Sequence, residues 1–349
     1  MREPLSVILE RPGKLAVKRI PVPQVPGPSL EIEMMACGIC GSDIRYFTGE
    51  NPWAMHTLGE NTPSPENMVL GHEVSGIVRE TGKRIAVLAY RGCGKCRFCL
   101  SGRENICSDV QHIGHGAGWP EMDYYPGGMA EYFQVWKGFA FEIPESVTYE
   151  AATFLDGLAV AIHACDRAGI GKGSRAAVIG LGPIGMLAAQ AAQAGGAVLL
   201  RGCDTSKVPV RLAAETGIKG VIQGDGHDLA EETGRKKQLF DAVIDTVGSA
   251  DSLKHGTALL DRGGTLVLLA VHDGSLPVTG KGLSGERRIV SSANNPYSDF
   301  DRAIALMESG QIKTEPLVTH RFPLSSAEEA FQVMLDKDNR GAYKIILHP

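Results

Sequence analysis

Four cysteines stand at the spacing C-x2-C-x2-C-x7-C in RGCGKCRFCLSGRENIC: Cys93, Cys96, Cys99 and Cys107. Four thiolates this close, separated by Gly and basic residues, can wrap one tetrahedral ion. Zinc suits them best, because four sulfurs leave no open position and make the site structural. An iron–sulfur cluster and metal-free thiols are the alternatives. Lys95, Arg97 and Arg103 offset part of the negative charge of four thiolates. The other cysteines are Cys37, Cys40, Cys165 and Cys203. The first residues carry Arg2, Glu3, Glu10, Arg11 and Lys14 with no long apolar run, so no signal peptide is expected. Metal or catalytic use of the cysteines is then favoured over disulfides.

A second pattern is Gly180-Leu-Gly182-Pro-Ile-Gly185, which follows the apolar run AAVI and opens an apolar helix. In that context it reads as a dinucleotide fingerprint. Gly180 makes the tight turn, Gly182 lets the backbone approach a pyrophosphate, and Gly185 lets the helix sit close on the strand. Pro183 suits the first helical turn, whose N-terminus favours phosphate charge. Ile184 and Val247 are expected to line the same groove. Asp204 falls at the end of the following strand, where a carboxylate accepts from both ribose hydroxyls and repels a 2′-phosphate. This predicts NAD over NADP, although Arg201 and Lys207 are cations close enough in sequence to hold a 2′-phosphate.

These residues need two kinds of scaffold. Up to about residue 150 the chain is rich in Pro and Gly, with short apolar stretches at Val17–Ile20, Leu30–Met35, Val74–Val78, Ile85–Ala89 and Met129–Val135. Strand-length runs bounded by turn residues predict a mainly β unit. Thr48–Met68 reads as a long loop with no clear period. From about Thr153 the pattern becomes βαβ. Strands are expected at Arg175–Ile179, Ala197–Cys203, Phe240–Asp245 and Thr265–Val271, with helices at Pro183–Ala194, Val208–Glu215 and Ser252–Leu260. That rhythm means a parallel sheet covered on both faces. Helices at Asp299–Ser309 and Ala327–Leu335, the latter with Ser325 and Ser326 as N-caps, and a strand at Ala342–Leu347 end the chain. The stretch Ala176–Leu200 lacks charge, but its Gly and Pro break it into strand, turn and helix rather than a membrane span. A net charge of −5 argues against a nucleic-acid partner.

Three further segments complete the set: ACGICGSD with Cys40, LGHEVSG with His72 and Glu73, and FLDGLAVAIHA with Asp156. Taken singly, a Cys is usually a small core hydrophobe, and a lone His or Asp a cap or core polar group. Taken together, GICGSD, GHE, the four-cysteine run, GGMAEY, GLGPIG and DTVG occur in the order seen in the zinc-dependent medium-chain alcohol and polyol dehydrogenases. The chain resembles that family over essentially its whole length, and most closely the branch of sorbitol and threonine dehydrogenases.

The resemblance implies an α/β architecture with two domains. A GroES-like, mainly β catalytic domain would span 1–152 and 297–349, around a Rossmann domain with a doubly wound parallel sheet at 153–296. It implies two zinc ions per chain, one structural and one catalytic. Cys40 and His72 would ligate the catalytic ion, with Glu73 as ligand or close neighbour. Asp156 stands where this branch carries Glu, and would reach the metal directly or through water. Ser42 would share the alcohol proton. The family often has His two residues after GSD. This chain has Arg45, which stays protonated near neutral pH and would instead meet cofactor or an anionic substrate. Tyr46 and Trp53 would wall the cleft, with His56 and His112 as polar lining. The implied reaction is reversible oxidation of a secondary alcohol of a polyol, sugar or cyclitol, with hydride passing to NAD. A butanediol- or threonine-type substrate is the alternative within the class. A non-catalytic NAD(P)-binding redox sensor or scaffold and a zinc-free enone reductase are the alternatives outside it. A cytoplasmic homodimer or homotetramer acting on a small molecule is expected.

Overall fold

The computed structural model describes residues 3–116, 118–270 and 278–349. The chain divides into two compact units. One comprises Met1–Asp156, Pro296–Ile304 and Val318–Pro349, and the other Gly157–Asn295 and Ala305–Leu317.

The first unit is organised around one strand. Ser29–Gly38 buries Ile32, Met34 and Ala36 at every second position, as a half-buried strand must. It pairs antiparallel with Glu73–Val78, with Tyr132–Trp136 and with Lys344–His348. The register sets Gly38 opposite both Glu73 and Ile346. This brings the end of one strand, the start of a second and a strand from the C-terminus to one place. Val7, Met34, Tyr46, Phe133, Trp136 and Phe331 belong to the core beside it. The expected strands fall on observed ones within a few residues. Thr48–Met68 differs, since it contains the helix Pro52–Leu58. Seven residues are too few to display a helical period, but the ends are marked. Asn51 caps the helix, its Oδ1 accepting from the Ala54 amide at 3.0 Å, and Pro52 holds the first turn.

The second unit carries a six-stranded sheet, every neighbouring pair parallel. Across the sheet the strands run Val221–Gln223, Leu199–Asp204, Arg175–Ile179, Phe240–Asp245, Leu260–Leu268, Arg288–Ser291. The order in chain sequence is 3-2-1-4-5-6, the doubly wound pattern. It switches direction between Arg175–Ile179 and Phe240–Asp245, and the fingerprint turn leaves the first of these. The expected strand Thr265–Val271 begins earlier, at Leu260, and ends at Leu268; Val271 lies outside the described residues. The edge strands Val221–Gln223 and Arg288–Ser291 and the helix Gly226–Arg235 were not signalled by periodicity, being short or polar. The helix Ala327–Leu335, in the first unit, forms as expected, with Ser326 at its N-cap but no side-chain capping bond. Among the described residues no helix is long and apolar enough to cross a membrane.

Candidate active site

Cys40 ends the connection from Ser29–Gly38 and caps the helix Gly41–Thr48. Glu73 begins the neighbouring strand, and His72 immediately precedes it. The Gly38–Glu73 register therefore brings a thiol, an imidazole and a carboxylate together, one potential ligand atom from each lying within 4.8 Å of the others. His72 and Glu73 are buried. Burial pushes the Cys40 thiol up, against the pull of Lys344 and of Ser42. A buried thiol, imidazole and carboxylate that converge in this way suit a divalent cation, which would draw the thiol proton off.

The surroundings hold this set in place. Asp43 is fully buried and accepts from the Cys40 amide at 2.8 Å and from the Gly71 amide at 3.3 Å, tying together the segments that bear Cys40 and His72. Burial raises its pKa, opposed chiefly by His72. Lys344, also buried, ion-pairs with Glu73. Burial pulls its pKa down, against the attraction of Cys40, Asp43 and Cys37. A Cβ on Gly38 would lie 2.7 Å from both the Glu73 carboxylate and the Lys344 chain, so only glycine leaves room for the pair. The ring of His115 stands 3.2 Å from Nδ1 of His72. Lys344, Asp43 and His115 were not singled out from the sequence. Lys344 carried one available signal, a lone lysine in an apolar terminal strand.

Other expected residues are placed differently. Asp156 is half-buried at the start of the helix Leu155–Ala168, and burial raises its pKa against the pull of His72. It is not one of the residues whose ligand atoms converge; aspartate is one methylene shorter than the branch's glutamate. The Ser42 hydroxyl lies against the Cys40 thiol, which it helps to acidify, and has no other hydrogen-bond partner among the described residues. Arg45 is turned to Glu50 at 2.5 Å and Met55 Sδ at 3.2 Å, occupied by its own loop rather than by the cluster. Tyr46 is fully buried, so it does not wall a cleft; its hydroxyl meets Asn51 and His115. Trp53 is half-buried, its indole nitrogen without a partner among the described residues. His112 is buried, with Nδ1 2.8 Å from the Ile113 carbonyl, and burial pushes its pKa down to about 3. The His56 side chain lies outside the described residues.

The second cluster is Cys93, Cys96, Cys99 and Cys107, all four sulfurs within 4.8 Å of one another. Sulfur–sulfur distances of 3.5 Å for Cys96–Cys99, 3.8 Å for Cys96–Cys107 and 4.0 Å for Cys93–Cys99 match the edge of a tetrahedron. With metal–sulfur bonds of about 2.3 Å that edge is about 3.8 Å. The amides of Lys95 and Cys96 draw the Cys93 thiol down to about 7, while burial pushes Cys99 up to about 12. These four fit a closed structural ion.

In the second unit the fingerprint has the expected form. Gly180 has φ +84°, and a Cβ on Gly185 would strike the Gly180 carbonyl. Gly182 caps the twelve-residue helix Pro183–Ala194, and a Cβ there would face open space, where a phosphate can approach. Ile184 is half-buried in the first turn of that helix. Asp204 accepts from the Leu181 amide and the Ser206 amide, both at 2.8 Å, so it braces the turn while keeping lone pairs for a ribose. Buried Asp245 accepts from the amides of Val247 at 2.8 Å and Gly248 at 2.9 Å and from the Ser252 hydroxyl at 2.7 Å. It thereby sets the loop against which Gly180 packs.

Fold and clusters define a zinc-type dehydrogenase with a dinucleotide-binding unit. The comparisons agree. Residues 27–145 match the alcohol dehydrogenase GroES-like domain, and residues 183–309 match the zinc-binding dehydrogenase model. The chain is 30% identical over 344 residues to the sorbitol dehydrogenase of Bos taurus, covering 95% of this chain and 92% of that one. Among solved structures it is similar to a zinc-binding dehydrogenase of Sinorhizobium meliloti 1021 bound to NADP, with TM-score 0.85, 29% identity and full coverage of both chains. It is also similar to L-idonate 5-dehydrogenase of Escherichia coli K-12, with TM-score 0.86 and 26% identity over 99% of this chain and 98% of that one. The chain belongs to the zinc-dependent medium-chain alcohol and polyol dehydrogenases. It is an enzyme, an oxidoreductase acting on alcohol groups.

Replacing Lys344 by Met leaves the Glu73 carboxylate buried without its cation. Urea unfolding of K344M should show a loss of about 3–5 kcal/mol. Asp245→Ala bares the Val247 and Gly248 amides and should weaken NAD binding in calorimetric titration by about tenfold or more, whereas Asp245→Asn keeps an acceptor and should lose less.

Proposed function

We propose that the chain reversibly oxidises a secondary alcohol of a sugar alcohol, polyol or cyclitol to the ketone, with NAD as hydride acceptor. The observation that carries this reading is the Cys40–His72–Glu73 cluster. A carboxylate in the ligand set, with a second acid at Asp156 close by, favours the polyol branch. Two relatives, a sorbitol dehydrogenase and an L-idonate 5-dehydrogenase, support the same substrate class.

Cys40, His72 and Glu73 would hold zinc, with Asp156 close by, and Cys93, Cys96, Cys99 and Cys107 would hold a second ion. The catalytic ion supplies Lewis acidity, easing removal of an alcohol proton and polarising a carbonyl in the reverse direction. Lys344 pairs with the Glu73 carboxylate and orients it. Ser42, whose hydroxyl lies against the Cys40 thiol, relays the substrate hydroxyl proton, passing on its own as it accepts. Arg45 cannot accept a proton; the onward acceptor is a water held by Glu73 or Asp156. The turn Gly180–Gly185 and the helix N-terminus at Pro183 carry the pyrophosphate, and Asp204 takes the ribose hydroxyls and disfavours a 2′-phosphate. A cytoplasmic homodimer or homotetramer with a small-molecule substrate belongs to the same proposal.

Two measurements test it. Cys40→Ser should abolish turnover and lower bound zinc from about two equivalents per chain to about one; full activity with both metals retained would overturn the site. An assay of NADH and NADPH formation across sugar alcohols, cyclitols, sugar acids, butanediols and threonine should show NADH formation from polyols, lost with chelator. Preference for NADP would overturn the role given to Asp204, and turnover of threonine or butanediol alone would move the substrate class.

A further inference from the structure

His115 lies in the turn between the strand Gln111–His112 and Gly116, and its ring joins two partners. Nε2 is 3.2 Å from Nδ1 of His72, and Nδ1 is 3.2 Å from the Tyr46 hydroxyl. The Tyr46 oxygen is also 3.3 Å from Oδ1 of Asn51 and 3.1 Å from the His115 carbonyl. Asn51 Oδ1 is held in place by the Ala54 amide.

Donor and acceptor chemistry orders the hydrogens along this chain. Asn51 Oδ1 and the His115 carbonyl only accept, so the Tyr46 O–H donates to them. The phenol oxygen then accepts, and His115 Nδ1 donates to it. In a neutral imidazole the other nitrogen is the acceptor. His115 Nε2 therefore accepts, and Nδ1 of His72 carries the hydrogen. His72 is left with Nε2 as its lone-pair nitrogen. Asp43 acts in the same sense from farther off. Its nearest oxygen is 3.9 Å from His72 Nδ1, and both its oxygens accept from backbone amides. Behind His115 the ring of His112 packs with centroids 4.0 Å apart, which limits its swing.

We propose that His115 is a positioning residue that fixes the tautomer and ring orientation of His72, presenting Nε2 to the metal, with Tyr46 and Asn51 anchoring His115 from behind. The proposal rests on the reading of Cys40, His72 and Glu73 as metal ligands. The anchor lies in the helix Gly41–Thr48 and its following turn, so the segment that supplies Cys40 also orients the second ligand.

The test is zinc competition against a chromophoric chelator and the visible spectrum of the cobalt(II)-substituted protein. It compares wild type with His115→Leu, His115→Gln, Tyr46→Phe and Cys40→Ser. His115→Leu should weaken one zinc equivalent about 10- to 100-fold, shift the cobalt bands and leave the four-cysteine ion untouched. His115→Gln, whose side-chain carbonyl can accept from Nδ1 of His72, should recover most of the loss. Tyr46→Phe keeps the buried ring and should give a smaller loss with the same spectral shift, so it carries the test if His115→Leu unfolds. Wild-type affinity and an unchanged spectrum in His115→Leu and Tyr46→Phe, beside a Cys40→Ser that has lost one equivalent, would overturn the assignment of His115 alone. A Cys40→Ser that keeps both equivalents would overturn the ligand reading and the His115 assignment with it.

Discussion

Lys344 and Glu73 meet in the interior, 271 positions apart in the chain, with almost no access to water. Desolvating two opposite charges is costly and is offset only when their geometry is held and their other surroundings are suitable. Here the strand Ser29–Gly38 lies between the two strands that bear them. It ends in a glycine because a side chain there would occupy the space the pair needs. Once that register is set, Cys40 falls two residues beyond Gly38 and His72 one residue before Glu73. A slip of one residue would turn Glu73 to the opposite face of the sheet and leave Lys344 without its carboxylate. The ion pair, the register and the Cys40–His72–Glu73 cluster are therefore one arrangement.

The two sulfur-bearing clusters reach metal competence by opposite physics. In the four-cysteine lobe, backbone amides point at Cys93 and Cys96 and lower their thiol pKa values. The sulfurs are already at tetrahedral spacing, and no position is left for a substrate. Around Cys40, burial raises the pKa of the thiol, of Asp43 and of Asp156 alike. Several acids crowd one imidazole and one buried lysine, a setting in which a divalent cation is the natural complement. A mixed set of three groups also leaves room in the coordination sphere, the property that separates a catalytic from a structural ion.

In the dinucleotide unit, positions usually read as ligand contacts are also structural members. Asp204 braces the fingerprint turn by accepting from the Leu181 amide. Asp245, buried and with both carboxylate oxygens occupied, holds the loop that packs on Gly180. The groove is thus preorganised by carboxylates that accept from backbone amides, which reduces the ordering that cofactor binding must impose.

The motifs were legible because each is local. Cys93 to Cys107 span one short stretch, and spacing alone identifies a closed four-thiolate site. The turn Gly180–Gly185 followed by Asp204 encodes its own strand–turn–helix–strand unit. The mainly β unit and the parallel sheet followed from runs of period two and from alternating strands and helices. Short edge strands such as Val221–Gln223 and the helix Pro52–Leu58 were too brief to show a period. The sequence by itself determined the four-cysteine pattern and the dinucleotide fingerprint, because each rests on residues a few positions apart, and the family, because such local motifs recur in one order along the chain. Only the tertiary structure decided that Lys344 neutralises Glu73, that His115 rather than Arg45 stands beside His72, and that Tyr46 is buried. Those contacts join segments tens to hundreds of residues apart, and strand register and packing, not local spacing, bring them within hydrogen-bond reach.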